Sequence, residues 1–311
     1  MNKVAIISNN SKYHDLLSKK ALPELMITTS IADANIILAD PPQLKNTLTH
    51  CSKLSWIQST YAGIDAILNE VPNHVTLTNV KGIFGQPMSE YVFGQLLSLT
   101  RHQNEYKKNQ NQQLWQSYSY QTLSDRRMVI IGTGTIGQEI AKVAKAFNMP
   151  VVGVNRSGII TRTGFDIDAY VNPYFDEILP FSELTQQLKP QDIIVSVLPS
   201  TLATRDIFDT SFFSSCLKSI FINVGRGDSL VEDALLTAIK KGQISHAILD
   251  VFKQEPLPED HAFWHHPKIT ITPHIAAISS PEQVIEIFSR NYLKWCQHQP
   301  LDFVIDLKTG Y

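Results

Sequence analysis

The sequence predicts an α/β protein built on parallel sheets, and three observations carry that expectation. Short, continuously apolar runs such as Met128-Val129-Ile130-Ile131 recur along the chain and alternate with stretches of helical spacing. Strands apolar on both sides belong to sheets covered by helices on both faces, which are parallel sheets. A glycine-rich string, Gly132-Thr133-Gly134-Thr135-Ile136-Gly137, stands where one such run meets a helical stretch. The length of 311 residues suits about two domains.

Taken in order, strands are expected over 4–7, 36–39, 56–58 and 75–78, the last of them β-branched. From Met88 to Leu99, apolar Tyr91, Val92, Leu96 and Leu99 recur at helical spacing. Residues 101–116 turn polar and read as a solvated helix or connector. A second α/β block then opens with a strand over 128–131, a turn over 132–137 and an amphipathic helix over 138–147. Strands over 151–154, 193–197, 220–223, 247–250 and 269–272 follow, with helical stretches between.

Composition removes several classes of function. Apolar residues make up 43% of the chain and charged residues 18%, values of a folded globular protein. With 27 basic and 29 acidic side chains the net charge is −2, so no basic excess exists to grip nucleic acid. Cys51, Cys216 and Cys296 lie far apart, which argues against a disulfide framework or a zinc site and for a reducing, cytoplasmic setting. The apolar run after Met1-Asn2-Lys3 stops at Ser8, too short for a signal-peptide core, and no stretch approaches a membrane span. His265-His266 has no metal-spaced partners, so no metal is expected.

The Gly132–Gly137 string fits G-x-G-x-x-G in the context that gives it meaning, after a strand and opening a helix. Gly132 permits the tight turn, Gly134 lets the backbone approach a pyrophosphate, and Gly137 allows close helix–strand packing. The N–H groups of the following helix, at Thr135 and Ile136 onward, face the phosphates. At the end of the next strand an NAD site usually carries an acid. Here Val154-Asn155-Arg156-Ser157-Gly158 offers none. Arg156 can pair with a 2′-phosphate instead, with Arg162 as a second cation, so NADP is expected over NAD, which stays possible.

Three further strand ends carry polar side chains: Arg226 in Asn223-Val224-Gly225-Arg226-Gly227, Glu255 after Asp250, and His274 in Thr272-Pro273-His274. In an open parallel sheet ligands bind beyond the carboxyl ends of the strands, so the three can converge. Arg226 supplies a planar fork for a carboxylate, His274 an acid/base near neutrality, and Glu255 an orienter for the imidazole. Beside a nicotinamide site this spells hydride transfer on a 2-oxo or 2-hydroxy acid.

These strings together resemble the D-isomer-specific 2-hydroxyacid dehydrogenase family. Glu255 follows Arg226 by 29 residues and His274 follows Glu255 by 19, as in that family, and Leu198-Pro199-Ser200-Thr201 with Thr204 also matches. The resemblance runs on through Ser59–Asp65, Leu77–Gly85 and Ser89–Leu97. Through Trp56-Ile57-Gln58-Ser59 and Asn79–Phe84 it is most similar to the glyoxylate/hydroxypyruvate reductase-like branch. It implies two Rossmann-like domains with parallel sheets, one flavodoxin-like and one dinucleotide-binding. Residues 1–100 and 276–311 would form the substrate domain and 101–275 the NAD(P) domain. It further implies that Arg226 holds the substrate carboxylate and carbonyl oxygen and that His274 gives the carbonyl its proton. The loop Tyr61-Ala62-Gly63 would hold the other side of the carboxylate. Leu198, Pro199, Thr204, Val224 and Gly225, with Asn155, Arg156 and Ser157, would line the cofactor, and Asp250 would stand beside the nicotinamide carboxamide. A homodimer through the 101–120 segment is implied as well. The competing expectation is a nucleotide-sensing, corepressor-like binding protein of the same fold. His246, where a small residue is usual, reads as a packing variant.

Overall fold

In the computed structural model the described residues are 1–159 and 173–307. They divide into two compact units, residues 1–83 with 279–311 and residues 84–278.

The first unit contains β1 (Asn2–Ile7), α1 (Lys12–Ser18), β2 (Leu25–Thr28), β3 (Ile36–Ala39), α2 (Pro41–Leu44), β4 (Trp56–Ser59) and β5 (Thr76–Thr78). The strands form one parallel sheet in the order β2-β1-β3-β4-β5, the flavodoxin-like order. Ala5, Ile37, Ala39, Ile57 and Leu77 bury one face against Leu44, Leu48, Ile64 and Ile67. On Trp56 the Phe288 ring stacks at 5.2 Å. Asn291 donates to Gln58 Oε1 at 3.2 Å. The helix that carries both, Pro281–Cys296, thereby belongs to this unit although it closes the chain.

The second unit runs α3 (Gly85–Thr100), α4 (Gln103–Asn111), β6 (Met128–Ile131), α5 (Thr135–Ala146), β7 (Val151–Asn155), β8 (Glu177–Pro180), α6 (Phe181–Gln187), β9 (Ile193–Ser196), α7 (Thr210–Ser214), β10 (Ser219–Asn223), α8 (Glu232–Lys240), β11 (Ile244–Leu249) and β12 (Ile269–Ile271). The last helix, Pro281–Cys296, is α9. The sheet of the second unit is parallel throughout, ordered β12-β11-β10-β9-β6-β7-β8. Successive residues of β6 feed opposite cores. Met128 and Ile130 pack with α3 and α5, whereas Val129 and Ile131 pack with α7 and α8. Burial on both faces explains why these strands are apolar without alternation.

Two differences from the sequence expectation have physical causes. The division falls at 83/84 and 278/279 rather than 100/101 and 275/276, because Met88, Val92, Phe93 and Leu96 of α3 share a core with β6 and α5. The helix expected from 138 begins at Thr135, so the second half of the glycine string is its first turn, with Gly134 as N-cap.

Candidate active site

The order of the second sheet reverses between β6 and β9, so their carboxyl ends flank the crevice where ligands bind in such sheets. The glycine string follows β6. Gly132 adopts φ +112°, and a Cβ there would lie 2.7 Å from Val197 Cγ2. A Cβ on Gly137 would lie 1.9 Å from Gly132 O, so only glycine seats α5 this close to β6. Around Gly134 a Cβ would meet nothing within 4 Å, so the backbone there faces open space. Gln138 N donates to Gly134 O at 2.9 Å, and the N–H groups of Thr135, Ile136 and Gly137 have no acceptor within the helix. Leu198 and Pro199 follow β9, where Thr204 Oγ1 donates to Pro199 O at 2.6 Å and closes the turn. Val224 and Gly225 are buried at the end of β10.

Beyond β7, Asn155 shapes the loop. Its Nδ2 donates to Thr133 Oγ1 and to Ile159 O, both at 2.9 Å, and its Oδ1 accepts from Ser157 N at 3.0 Å and Gly158 N at 2.7 Å. The asparagine thus ties the glycine loop to the segment that exposes Arg156 and Ser157. No acidic side chain occurs over 154–159. Arg162 lies outside the described residues. An open helix N-terminus, an unobstructed backbone approach and a cationic, acid-free strand end fit a dinucleotide bearing an extra phosphate.

The proposed catalytic side chains come from the next strand ends. Asn223 Nδ2 donates to Arg226 O at 3.1 Å, Ser229 Oγ donates to the same oxygen at 2.6 Å, and Arg226 Nη1 donates to Gly225 O at 2.8 Å. This fixes the turn that presents the guanidinium. In the loop after β11, Glu255 Oε1 accepts from Phe252 N at 2.9 Å. Its Oε2 accepts from His274 Nδ1 at 2.8 Å. Burial alone would raise the Glu255 carboxyl. The His274 and Phe252 hydrogen bonds and the charges of His274 and Arg226 outweigh it and hold the carboxyl below its ordinary value. His274 and Arg226 therefore both act electrostatically on Glu255. With Nδ1–H given to Glu255, His274 has Nε2 left for a substrate, and the imidazole remains 49% exposed.

Asp250 is 1% exposed and is bonded within the protein. Its carboxylate accepts from Thr272 Oγ1 at 2.6 Å and from the Ile275 and Ala276 N–H groups at 2.9 Å each. Tyr61, Ala62 and Gly63 follow β4 in the first unit. Ser59 Oγ donates to Tyr61 O at 2.8 Å and Asn79 Nδ2 donates to Ala62 O at 2.7 Å, which sets the direction of the loop's peptides. Sequence reasoning assigned no role to Asn79 or Asn223. The signal available was an amide side chain at a strand end, Asn223 closing the mostly apolar β10 and Asn79 following β5. His246, at the β11/β12 edge, bonds Thr270 Oγ1 at 2.9 Å. Among the described residues no group of His, Cys, Asp or Glu could hold a metal, and no helix is long and apolar enough to cross a membrane.

Comparison with known proteins identifies the family. The family model for the NAD binding domain of D-isomer specific 2-hydroxyacid dehydrogenases matches residues 93–276. Glyoxylate/hydroxypyruvate reductase A of Photorhabdus laumondii is 33% identical, covering 90% of this chain and 88% of its own. The crystal structure of a D-isomer specific 2-hydroxyacid dehydrogenase family protein from Aeromonas salmonicida superposes with a TM-score of 0.90 at 43% identity, over 98% of this chain and 99% of that one. The NADPH-dependent glyoxylate/hydroxypyruvate reductase of Sinorhizobium meliloti, solved with NADP and sulfate, gives a TM-score of 0.84 at 25% identity, over 100% of both chains. This chain belongs to the D-isomer specific 2-hydroxyacid dehydrogenase family and carries that family's NAD-binding domain.

Proposed function

We propose that this protein reduces a small 2-oxo acid of the glyoxylate or hydroxypyruvate kind to the D-2-hydroxy acid, with NADPH preferred over NADH. The observation that carries the reading is the His274 Nδ1–Glu255 Oε2 hydrogen bond of 2.8 Å beside the charge of Arg226. The glyoxylate/hydroxypyruvate reductases among its relatives support the substrate class.

The cofactor, when bound, supplies the hydride. The open N-terminus of α5 would hold its pyrophosphate, Arg156 and Ser157 its 2′-phosphate, and Leu198, Pro199, Thr204, Val224 and Gly225 its remaining length. Asp250 would accept from the nicotinamide carboxamide on a carboxylate that already anchors the 272–276 loop. Arg226 clamps the substrate carboxylate and polarises the carbonyl, a permanent positive charge where negative charge develops. His274 delivers a proton from Nε2 to the carbonyl oxygen, and Glu255 stabilises the imidazolium and fixes its ring orientation.

The test is kcat/KM for glyoxylate, hydroxypyruvate and pyruvate with each nicotinamide cofactor. Turnover at least tenfold more efficient with NADPH is expected, since a charge-assisted hydrogen bond is worth roughly 1.5–3 kcal/mol. No turnover of any of the three would overturn the reading. His274→Gln should lower kcat by roughly 10²–10⁴-fold while NADPH still binds.

The protein also works, on this reading, as a homodimer. The support is the segment after α4, where Trp115 is fully exposed and Leu114 and Tyr120 are each 51% exposed. A mass near 35 kDa at micromolar concentration by light scattering would overturn the dimer.

A further inference from the structure

Tyr91 has no part in the chemistry above, yet its hydroxyl begins a hydrogen-bond chain that ends at His274. Thr272, just beyond β12, gives its single hydroxyl proton to Asp250 Oδ1 at 2.6 Å. At the 2.5 Å contact between Tyr91 Oη and Thr272 Oγ1 the phenol is therefore the donor. Asp250 collects the Ile275 and Ala276 N–H groups on its carboxylate, and its main-chain oxygen takes the His274 N–H at 2.9 Å. Between these anchors His274 stands at φ +54°, a left-handed conformation uncommon for a residue with a Cβ. Such a conformation persists only where its surroundings over-determine it.

The chain runs from helix to loop through buried or half-buried groups. Tyr91 belongs to α3, whose Met88, Val92 and Phe93 are fixed in the core beneath the sheet. Thr272 and Asp250 each directly follow one of two adjacent paired strands. The hydroxyls thus connect a rigid element to the loop that bears the proposed acid. Burial, with the Asp250 charge adding, pushes the Tyr91 phenol up to about 12, so it stays a donor at neutral pH.

On the reading that His274 is the proton donor, we propose that Tyr91 and Thr272 are positioning residues for it, acting through Asp250 to hold the 272–276 loop in the conformation that turns Nδ1 onto Glu255. Neither touches the reacting atoms. Their hydroxyls set where the imidazole stands, and a misplacement near 1 Å in such a group is costly to rate.

The experiment measures kcat and KM for the full chain with NADPH and glyoxylate or hydroxypyruvate, in Tyr91→Phe, Thr272→Val, Thr272→Ser and the Tyr91→Phe/Thr272→Val double variant. Tyr91→Phe and Thr272→Val keep the shape and remove a hydroxyl, and each should lower kcat about tenfold or more with KM for NADPH within about twofold. Thr272→Ser restores the hydroxyl and should restore kcat to within about twofold. The double variant should be no slower than Thr272→Val alone, since one break already interrupts the chain. Wild-type kcat in both single variants, multiplicative loss in the double variant, or a parallel rise in KM for NADPH would overturn the proposal. If Tyr91→Phe fails to fold, the contrast between Thr272→Val and Thr272→Ser decides alone. His274→Gln separates the two readings. At wild-type turnover it overturns the acid assignment, whereas an inactive His274→Gln beside fully active Tyr91→Phe and Thr272→Val overturns only the positioning role.

Discussion

Replacing Gly137 with alanine probes how α5 is seated on the sheet. The new Cβ would lie 1.9 Å from Gly132 O and 3.1 Å from Gly132 C. Favourable carbon contacts begin near about 3.5 Å, so α5 must retreat by about 1.5 Å. Both opposing atoms are main chain, and no rotamer relieves the overlap. The retreat pulls Ile140, Ala141 and Ala144, all fully buried, away from the strands. Overpacking of this kind costs roughly 1–3 kcal/mol, which lowers Tm by roughly 2–12 °C in a unit of this size. The same movement displaces the helix N-terminus and should weaken NADPH binding on the order of a hundredfold. Gly134→Ala is the matched control, because its Cβ meets nothing within 4 Å. It should leave Tm unchanged and still weaken NADPH, since the methyl occupies the space through which the pyrophosphate approaches. Thermal unfolding and NADPH fluorescence titration read both arms. A Gly137→Ala protein with unchanged Tm, or a Gly134→Ala protein that binds NADPH normally, would refute the reasoning.

Arg156→Ala should raise KM for NADPH about tenfold or more and leave KM for NADH within about twofold; equal changes in the two would remove Arg156 from the phosphate site. Asn155→Asp puts a carboxylate oxygen where Nδ2 now donates to Ile159 O and Thr133 Oγ1, so it should weaken NADPH without improving NADH, and a lower KM for NADH would show the acid reaching a ribose instead. The Glu255 carboxyl is held below its ordinary value of 4.5; its stabilising contribution is present above that pH and lost as pH falls through the folded value, so the Tm curves of wild type and Glu255→Gln should converge below about pH 4.5. Burial pushes His246 down to about 4 from 6.5, with His266 and Lys268 adding to it and Glu105 opposing. Between those values the unfolded chain binds a proton that the folded chain refuses, so stability is lost as pH is lowered from 6.5 to 4, by at most roughly 3–4 kcal/mol, and His246→Phe should flatten that part of the Tm curve.

The glycine string and the polar strand ends were legible because each is local: a few residues of fixed type following an apolar run, as in Gly132–Gly137 after β6 or Arg226 after β10. The central strands were legible for the same reason, being apolar on both faces. The edge strand β2 and the terminal strand β8 were not, because their residues are mostly half-exposed or exposed and one ends at Pro180. Nor was the placement of α3 in the second unit. Its helical spacing marks an apolar face without saying which sheet that face covers, and the choice rests on Met88, Val92, Phe93 and Leu96 meeting β6 and α5. Arg226, Glu255 and His274 could be named from their strand ends, but that Glu255 bonds Nδ1 of His274 while Phe252 N–H holds its other oxygen depends on loop geometry. The Tyr91–Thr272–Asp250 chain lay furthest from the sequence. Tyr91 and Thr272 are 181 positions apart, and each looks like an ordinary helix or strand-end residue in its own neighbourhood. Residue type and short spacing express what one segment can do by itself, whereas a hydrogen bond between distant segments exists only once packing has brought the two hydroxyls to 2.5 Å.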